Sequence, residues 1–403
     1  MLIEWIDTLR SHLLALPSLA KFAIVMAGIV YMPALARRVK VPELVGLLLF
    51  GVLLGPYVLD VAGADRPIAQ FFADLGRLML MFTAGLEIDI ELFRKAQTRS
   101  VIFGVITTIV PQVLGTACGL AFGYPFIPAV VIGSIVTRLG AISLEPIVVT
   151  IGATMVSDTL SLIIFGICVS TYTTGFSASG LTVQIVEVAI VVPLILIGVS
   201  RAGAWILGKL GYSEERYFVT MLGIMAVAGV LTDLINLPDI VGAFLAGVAV
   251  NAAAHDHPAK EKLEFVGSAL FIPIFFIVTG FLIAPNAVAQ TVFEKFWLVA
   301  SIVASLIVGK GIAAAIAGRA FGYPREARLT MWALTLPQVA ATLAATLVGY
   351  NTLNAAGMRL LDEKMFNTVL VLLVVTSILG PALTQLFAPR MVEQEGRAKA
   401  GGS

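Results

Sequence analysis

Apolar residues fall into thirteen runs along the chain, at about 19–36, 44–59, 71–86, 101–122, 126–137, 147–171, 181–199, 217–235, 239–250, 265–283, 296–317, 327–349 and 366–386, with charge collected between them. Most approach the ~20 residues that a helix needs to cross about 30 Å of hydrocarbon. The pattern predicts an all-α polytopic membrane protein of about 13 transmembrane helices. Lys and Arg test that count, because cytoplasmic loops are enriched in them. Odd-numbered connections carry Arg37, Arg38, Lys40, Arg94, Lys95, Arg99, Arg138, Arg201, Lys209, Arg216, Lys260, Lys262, Arg319, Arg325 and Arg328, and the tail adds Arg390, Arg397 and Lys399. Even-numbered connections carry only Arg66, Lys295, Arg359 and Lys364. Dropping any one run would invert the alternation beyond it, so the amino terminus is expected outside and the carboxyl terminus inside.

Several runs are too short or too broken for a plain crossing. The fifth, Phe126 to Thr137, is short, and the twelfth carries Leu336-Pro337-Gln338 in mid-span, flanked by Thr335 and Thr342. Proline there removes a backbone donor and frees a carbonyl. If runs four to six recur as runs eleven to thirteen, the offset of seven is odd and the second copy is inverted. The short fifth and broken twelfth runs then correspond, and interrupted helices at corresponding places of two halves mark binding sites in repeat-built transporters. A proline kink beside an unrelated short helix is the alternative.

Composition narrows the class further. The 403 residues are 59% hydrophobic and 13% charged, and a net charge of +1 gives no sign of a nucleic-acid partner. Cys118 and Cys168 lie in apolar runs without CxxC spacing or neighbouring His, which indicates neither disulfides nor zinc. The first eighteen residues do not resemble a cleaved signal and read as an interfacial segment. There is no phosphate-binding loop, no HExxH and no other cofactor motif. His255-Asp256-His257 falls in a connection and reads as a solvated loop.

Asp158 stands near the centre of the sixth run, where a charge costs about 2.5–3.5 kcal/mol and marks an ion or proton site. Lys310 is the comparably central cation, in the eleventh. One acid and one base at similar depth suggest a coupled site for a monovalent cation and a proton, titrating as a unit. Ser157, Thr154 and Ser161 lie at helical spacings from Asp158 and offer hydroxyl oxygens, as do Gln338 and Thr342 by the proline break. Packing is the competing role for such residues.

Pro42-Glu43-Leu44-Val45-Gly46, Gly51 to Pro56, Phe82 to Asp89, Leu237-Pro238-Asp239 leading into Gly242 to Gly247, and Pro273 to Gly280 together resemble the monovalent cation:proton antiporter-2 family, from about residue 20 to 386. The resemblance implies a sodium/proton exchanger fold, with a dimerisation part and a six-helix core part interleaved in sequence within a single unit, residues 1–390. It also implies inverted repeats, two broken crossing helices, a homodimer in the cell (inner) membrane, and no cofactor. Residues 391–403 then form a cytoplasmic tail whose Ala400-Gly401-Gly402-Ser403 end resembles an added linker.

In that family an acid pair or an Asn-Asp pair lies on the sixth helix, matched here by Ser157 and Asp158. Lys310 falls where electrogenic relatives carry a lysine that pairs with the first acid. Ser157 is a departure, and with that acid missing Lys310 is expected to pair with Asp158 itself. Exchange of one proton for one cation at a single carboxylate is electroneutral. The fifth helix is a second departure: residues are expected to be absent between Ser134 and Ile135, which leaves Thr137 as its candidate ligand. A gated potassium efflux protein is the alternative function, and an intramembrane hydrolase a remote one, since it needs a second acid or a base that no mid-span position supplies.

Overall fold

The computed structural model describes residues 10–38, 42–87, 97–135, 145–175, 177–199, 201–202, 214–254, 258–337 and 340–400. In chain order the helices are α1 (Ser18–Arg38), α2 (Glu43–Leu54), α3 (Arg66–Leu86), α4 (Gln97–Ala121), α5 (Phe126–Ile135), α6 (Glu145–Thr174), α7 (Ala178–Pro193), α8 (Glu214–Asp233), α9 (Asp239–Ala254), α10 (Pro258–Val266), α11 (Ile272–Gly280), α12 (Pro285–Glu294), α13 (Phe296–Ala320), α14 (Arg325–Leu334), α15 (Ala340–Asn351) and α16 (Glu363–Ala400). β pairing among the described residues is confined to an isolated bridge between Leu353 and Arg359.

Among the described residues each predicted run falls largely on one helix or a helix pair. Eight helical stretches among the described residues are long and apolar enough to cross a bilayer. The outward faces of α1, α7 and α8 present Val30, Val183, Ile185, Ile190, Val219 and Val230, each more than half exposed. Such faces are at home in lipid and a liability in water.

The helices divide into two units, Met1–Ile88 with Val186–Phe293, and Asp89–Ile185 with Glu294–Ser403. In the first, α3 and α9 cross backbone to backbone. A Cβ on Gly85 would lie 2.4 Å from the Phe244 carbonyl oxygen, and one on Gly247 would lie 2.1 Å from that of Phe82. Glycine is the residue that permits this approach, which gives these motif positions a packing role. Arg77 of α3 bonds to Asp239 at the start of α9 at 3.0 Å.

The second unit contains the expected repeat. A long helix followed by a second helix after a four-residue turn occurs twice, as α4 with α5 and as α13 with α14. The connecting turns are Phe122-Gly123-Tyr124-Pro125 and Phe321-Gly322-Tyr323-Pro324. Gly123 and Gly322 take φ of +82° and +74°. Tyr124 N donates to Gly119 O at 3.1 Å, and Tyr323 N to Gly318 O at 2.7 Å. Both helices therefore end in the same left-handed glycine cap, followed by a proline that opens the next helix.

Ser134 and Ile135 are consecutive residues of α5, and the described residues stop at Ile135, before Thr137. Two features differ from the expectations. α16 continues to Ala400 rather than giving way to a separate tail, and Met391 is buried. Apart from Gly396, residues 393–400 are Glu, Gln, Arg, Lys and Ala, which favour helix. The tenth run is not one regular helix, because a wide π-type turn, Gly267–Phe271, joins α10 to α11.

Candidate functional site

Three helices of the second unit frame Asp158. α4 packs against both α6 and α13. Gly104 of α4 meets α6 so closely that a Cβ would lie 2.6 Å from Val156 Cβ and 2.9 Å from Ala153 O. On α13 the close approach is made by Gly309, whose Cβ would lie 2.9 Å from Pro111 Cα. These contacts place the residues after Val156 and Gly309, which include Asp158 and Lys310, around one stretch of α4.

Phe103, Val149, Ala153, Ala313, Ala314, Ala317 and Met331 form a fully buried apolar cluster beside that stretch. On α4 the contacts descend from Pro111 to Phe103 while on α13 they ascend from Gly309 to Ala317. The two helices therefore run antiparallel, as an inverted repeat requires. Trp332 of α14 adds a hydrogen bond from Nε1 to Ile307 O at 2.9 Å, holding the half-helix to α13.

Within this frame Ser157, Ser161 and Lys310 are fully buried, and Asp158 is partly accessible. Lys310 lies within the electrostatic reach of Asp158. In the low dielectric of such a site the attraction is far stronger than in water. The hydroxyl oxygens of Ser161 and Thr107 are buried without a hydrogen bond.

The other half-helix pair comes next. The predicted break at Pro337 separates α14 from α15, and Thr335 closes α14 with its hydroxyl donating to Trp332 O at 2.7 Å. Thr342 is buried in the first turn of α15, and its carbonyl accepts from the Thr346 hydroxyl at 2.6 Å. Thr137, Gln338 and the His255-Asp256-His257 segment lie outside the described residues. So does the Thr154 side chain.

A family model for the transmembrane sodium/hydrogen exchanger matches residues 24–388. The chain belongs to the sodium/hydrogen exchanger family. This is a family of integral membrane transporters rather than enzymes, which disposes of the hydrolase alternative. The chain is 43% identical over 384 residues to the Na(+)/H(+) antiporter NhaS5 of Synechocystis, covering 93% of this chain and 55% of the relative, so it spans about half that protein's length. It is 27% identical over 387 residues to the probable Na(+)/H(+) antiporter 3 of Methanocaldococcus jannaschii, covering 90% of this chain and 95% of that one. Its fold is similar to the solved sodium proton antiporter MjNhaP1 of the same archaeon, with a TM-score of 0.66 at 13% identity, covering 93% of this chain and 97% of the other.

The sequence carries one further signal, the repeated Phe-Gly-Tyr-Pro turn, which marks the repeat boundaries directly. Thr107 and Pro111 carry none: they stand four residues apart in an apolar helix, and hydropathy does not show that Pro111 meets α13.

Proposed function

We propose that this chain is a secondary active transporter that exchanges a monovalent cation, sodium or potassium, for protons by alternating access at Asp158. The observation that carries this reading is a partly accessible carboxylate on α6 within electrostatic reach of a fully buried ammonium on α13. A cation or a proton neutralises the same carboxylate, and low dielectric makes double occupancy unfavourable. Lys310 competes as an internal positive charge when neither is bound. Ser157 and the hydroxyl of Thr342 supply hard oxygens for a desolvated alkali ion, with Thr137 and Gln338 as further ligands beside the two half-helices.

The first unit serves as the dimerisation part of a homodimer and the second as the moving core. The amino terminus lies outside and the carboxyl terminus in the cytoplasm of a cell that carries the protein in its inner membrane, as the basic odd-numbered connections require. Exchange is electroneutral as long as Lys310 keeps its proton throughout the cycle. Proton flux in liposomes driven by sodium or potassium gradients tests the proposal. Wild type should move protons in response to one or both ions and Asp158→Asn should not; potassium flux without proton coupling would contradict the reading.

A further inference from the structure

We infer that Thr107 and Ser161 form a second seat for the Lys310 ammonium, occupied when a cation takes Asp158. This rests on the exchange reading above. A cation on Asp158 and an ammonium beside it repel strongly in a dry site, so loading requires that Lys310 be received by other acceptors. A buried ammonium left without acceptors is more costly still.

The acceptors are at hand on both flanking helices. Thr107 and Ser161 are each 0% exposed, and neither hydroxyl makes a hydrogen bond. Such groups are costly to bury and call for a physical account. Thr107 lies four residues from Phe103 and four from Pro111, on the one face of α4 that meets Ala313, Ala314 and Ala317 at one end and Gly309 at the other. Lys310 enters between those contacts. Pro111 has no N–H, so it also denies the Thr107 carbonyl its helical donor. Thr107 therefore combines a buried hydroxyl without a hydrogen bond and a backbone oxygen without its i+4 donor.

Ser161 completes the seat from the opposite side. It stands three residues beyond Asp158 and four beyond Ser157, a rise of about 4.5–6 Å on the same helix face. Val149 and Ala153 share one buried cluster with Ala313, Ala314 and Ala317, whereas Asp158 reaches Lys310, so α6 and α13 run antiparallel. Ser161 consequently lies beyond Asp158 toward the amino-terminal side of Lys310, the direction in which helical side chains lean. A flexible four-carbon stem can carry the ammonium from the carboxylate to these oxygens without moving the backbone.

The test is a mutant cycle read as the half-saturating sodium concentration for thermal stabilisation of the purified full chain at neutral pH. Loss of that stabilisation in Asp158→Asn, with wild type stabilised, establishes the underlying exchange site independently; potassium replaces sodium throughout if only potassium stabilises wild type, and a wild type that neither ion stabilises overturns both. Ser161→Ala and Thr107→Val should each raise the half-saturating concentration about tenfold, the loss of one hydrogen bond to a charged group. Ser161→Thr and Thr107→Ser should restore it. In a Lys310→Gln background the same Ala and Val replacements should change it by less than about twofold, because the ammonium they receive is gone. Equal shifts in both backgrounds would assign the hydroxyls to the cation or to the fold, and no shift with Lys310 present would leave them without a part in loading; either result overturns the seat.

Discussion

Gly309 of α13 rests on Pro111 of α4, so close that a Cβ on the glycine would come within 2.9 Å of Pro111 Cα and 3.2 Å of its Cβ. Lys310 follows immediately, and its depth beside α4 is fixed by this contact. Gly309→Ala should therefore destabilise the protein by about 1–3 kcal/mol, as overpacking does, against the helix preference for alanine. Gly223 on α8 has nothing within 4 Å of its added Cβ, and Gly223→Ala should be neutral or stabilise by up to about 1 kcal/mol. Thermal unfolding of the two variants should shift in opposite directions; a shared direction would remove the contact from the account.

Arg77 and Asp239 join α3 to α9 with side chains 14% and 34% exposed, and the Arg77 Nε is buried without a partner. Replacing one partner leaves the other charge poorly solvated. Arg77→Met and Asp239→Asn should each cost about 1–2 kcal/mol, less than a fully buried pair because the acid is partly in solvent. The double replacement should cost less than the sum of the singles. Melting temperatures of the four proteins measure this coupling, and strict additivity would show that the pair contributes nothing.

Most of the helix inventory was legible in the sequence, because a bilayer demands long apolar stretches and the basic residues sort the connections by side. Pro337 likewise announced the gap between α14 and α15. The electrostatic proximity of Asp158 and Lys310 was legible because charge inside an apolar run is conspicuous. The continuation of α16 to Ala400 was not, since hydropathy stops at the membrane while helix propensity does not. Nor was the burial of Thr107 without a hydrogen bond, because it depends on which helices touch. That information resides in close glycine contacts such as Gly104 on Val156, which only the assembled helices reveal.

Asp65 accepts hydrogen bonds from Ser18 at 2.7 Å and Lys21 at 3.0 Å, and these two partners, the serine bond foremost, hold its carboxyl below the ordinary value of 3.8. The folded state thus binds this proton less readily than the unfolded chain. Its stabilisation is complete above the ordinary carboxylate range and is lost as pH falls through the depressed folded value. The gap in melting temperature between wild type and Asp65→Asn should be constant near neutrality and narrow in acid. A gap that widens in acid would contradict the assignment.

Gly123 and Gly322 occupy matching left-handed caps with nothing within 4 Å of an added Cβ. Substitution at either site meets only backbone strain. Gly123→Ala and Gly322→Ala should each destabilise by about 1–2 kcal/mol, to similar extents. Thermal unfolding would deny the equivalence of the two turns if only one responded.

The central claim is that a cation and a proton compete for Asp158. It is tested most directly by adding sodium to weakly buffered, purified protein and recording proton release with a pH indicator across a range of starting pH. Wild type should release protons on binding, with the amount falling to zero at alkaline pH where the site is already unprotonated, and Asp158→Asn should release none. Sodium binding to wild type without proton release at any pH, or undiminished release from Asp158→Asn, would contradict the account.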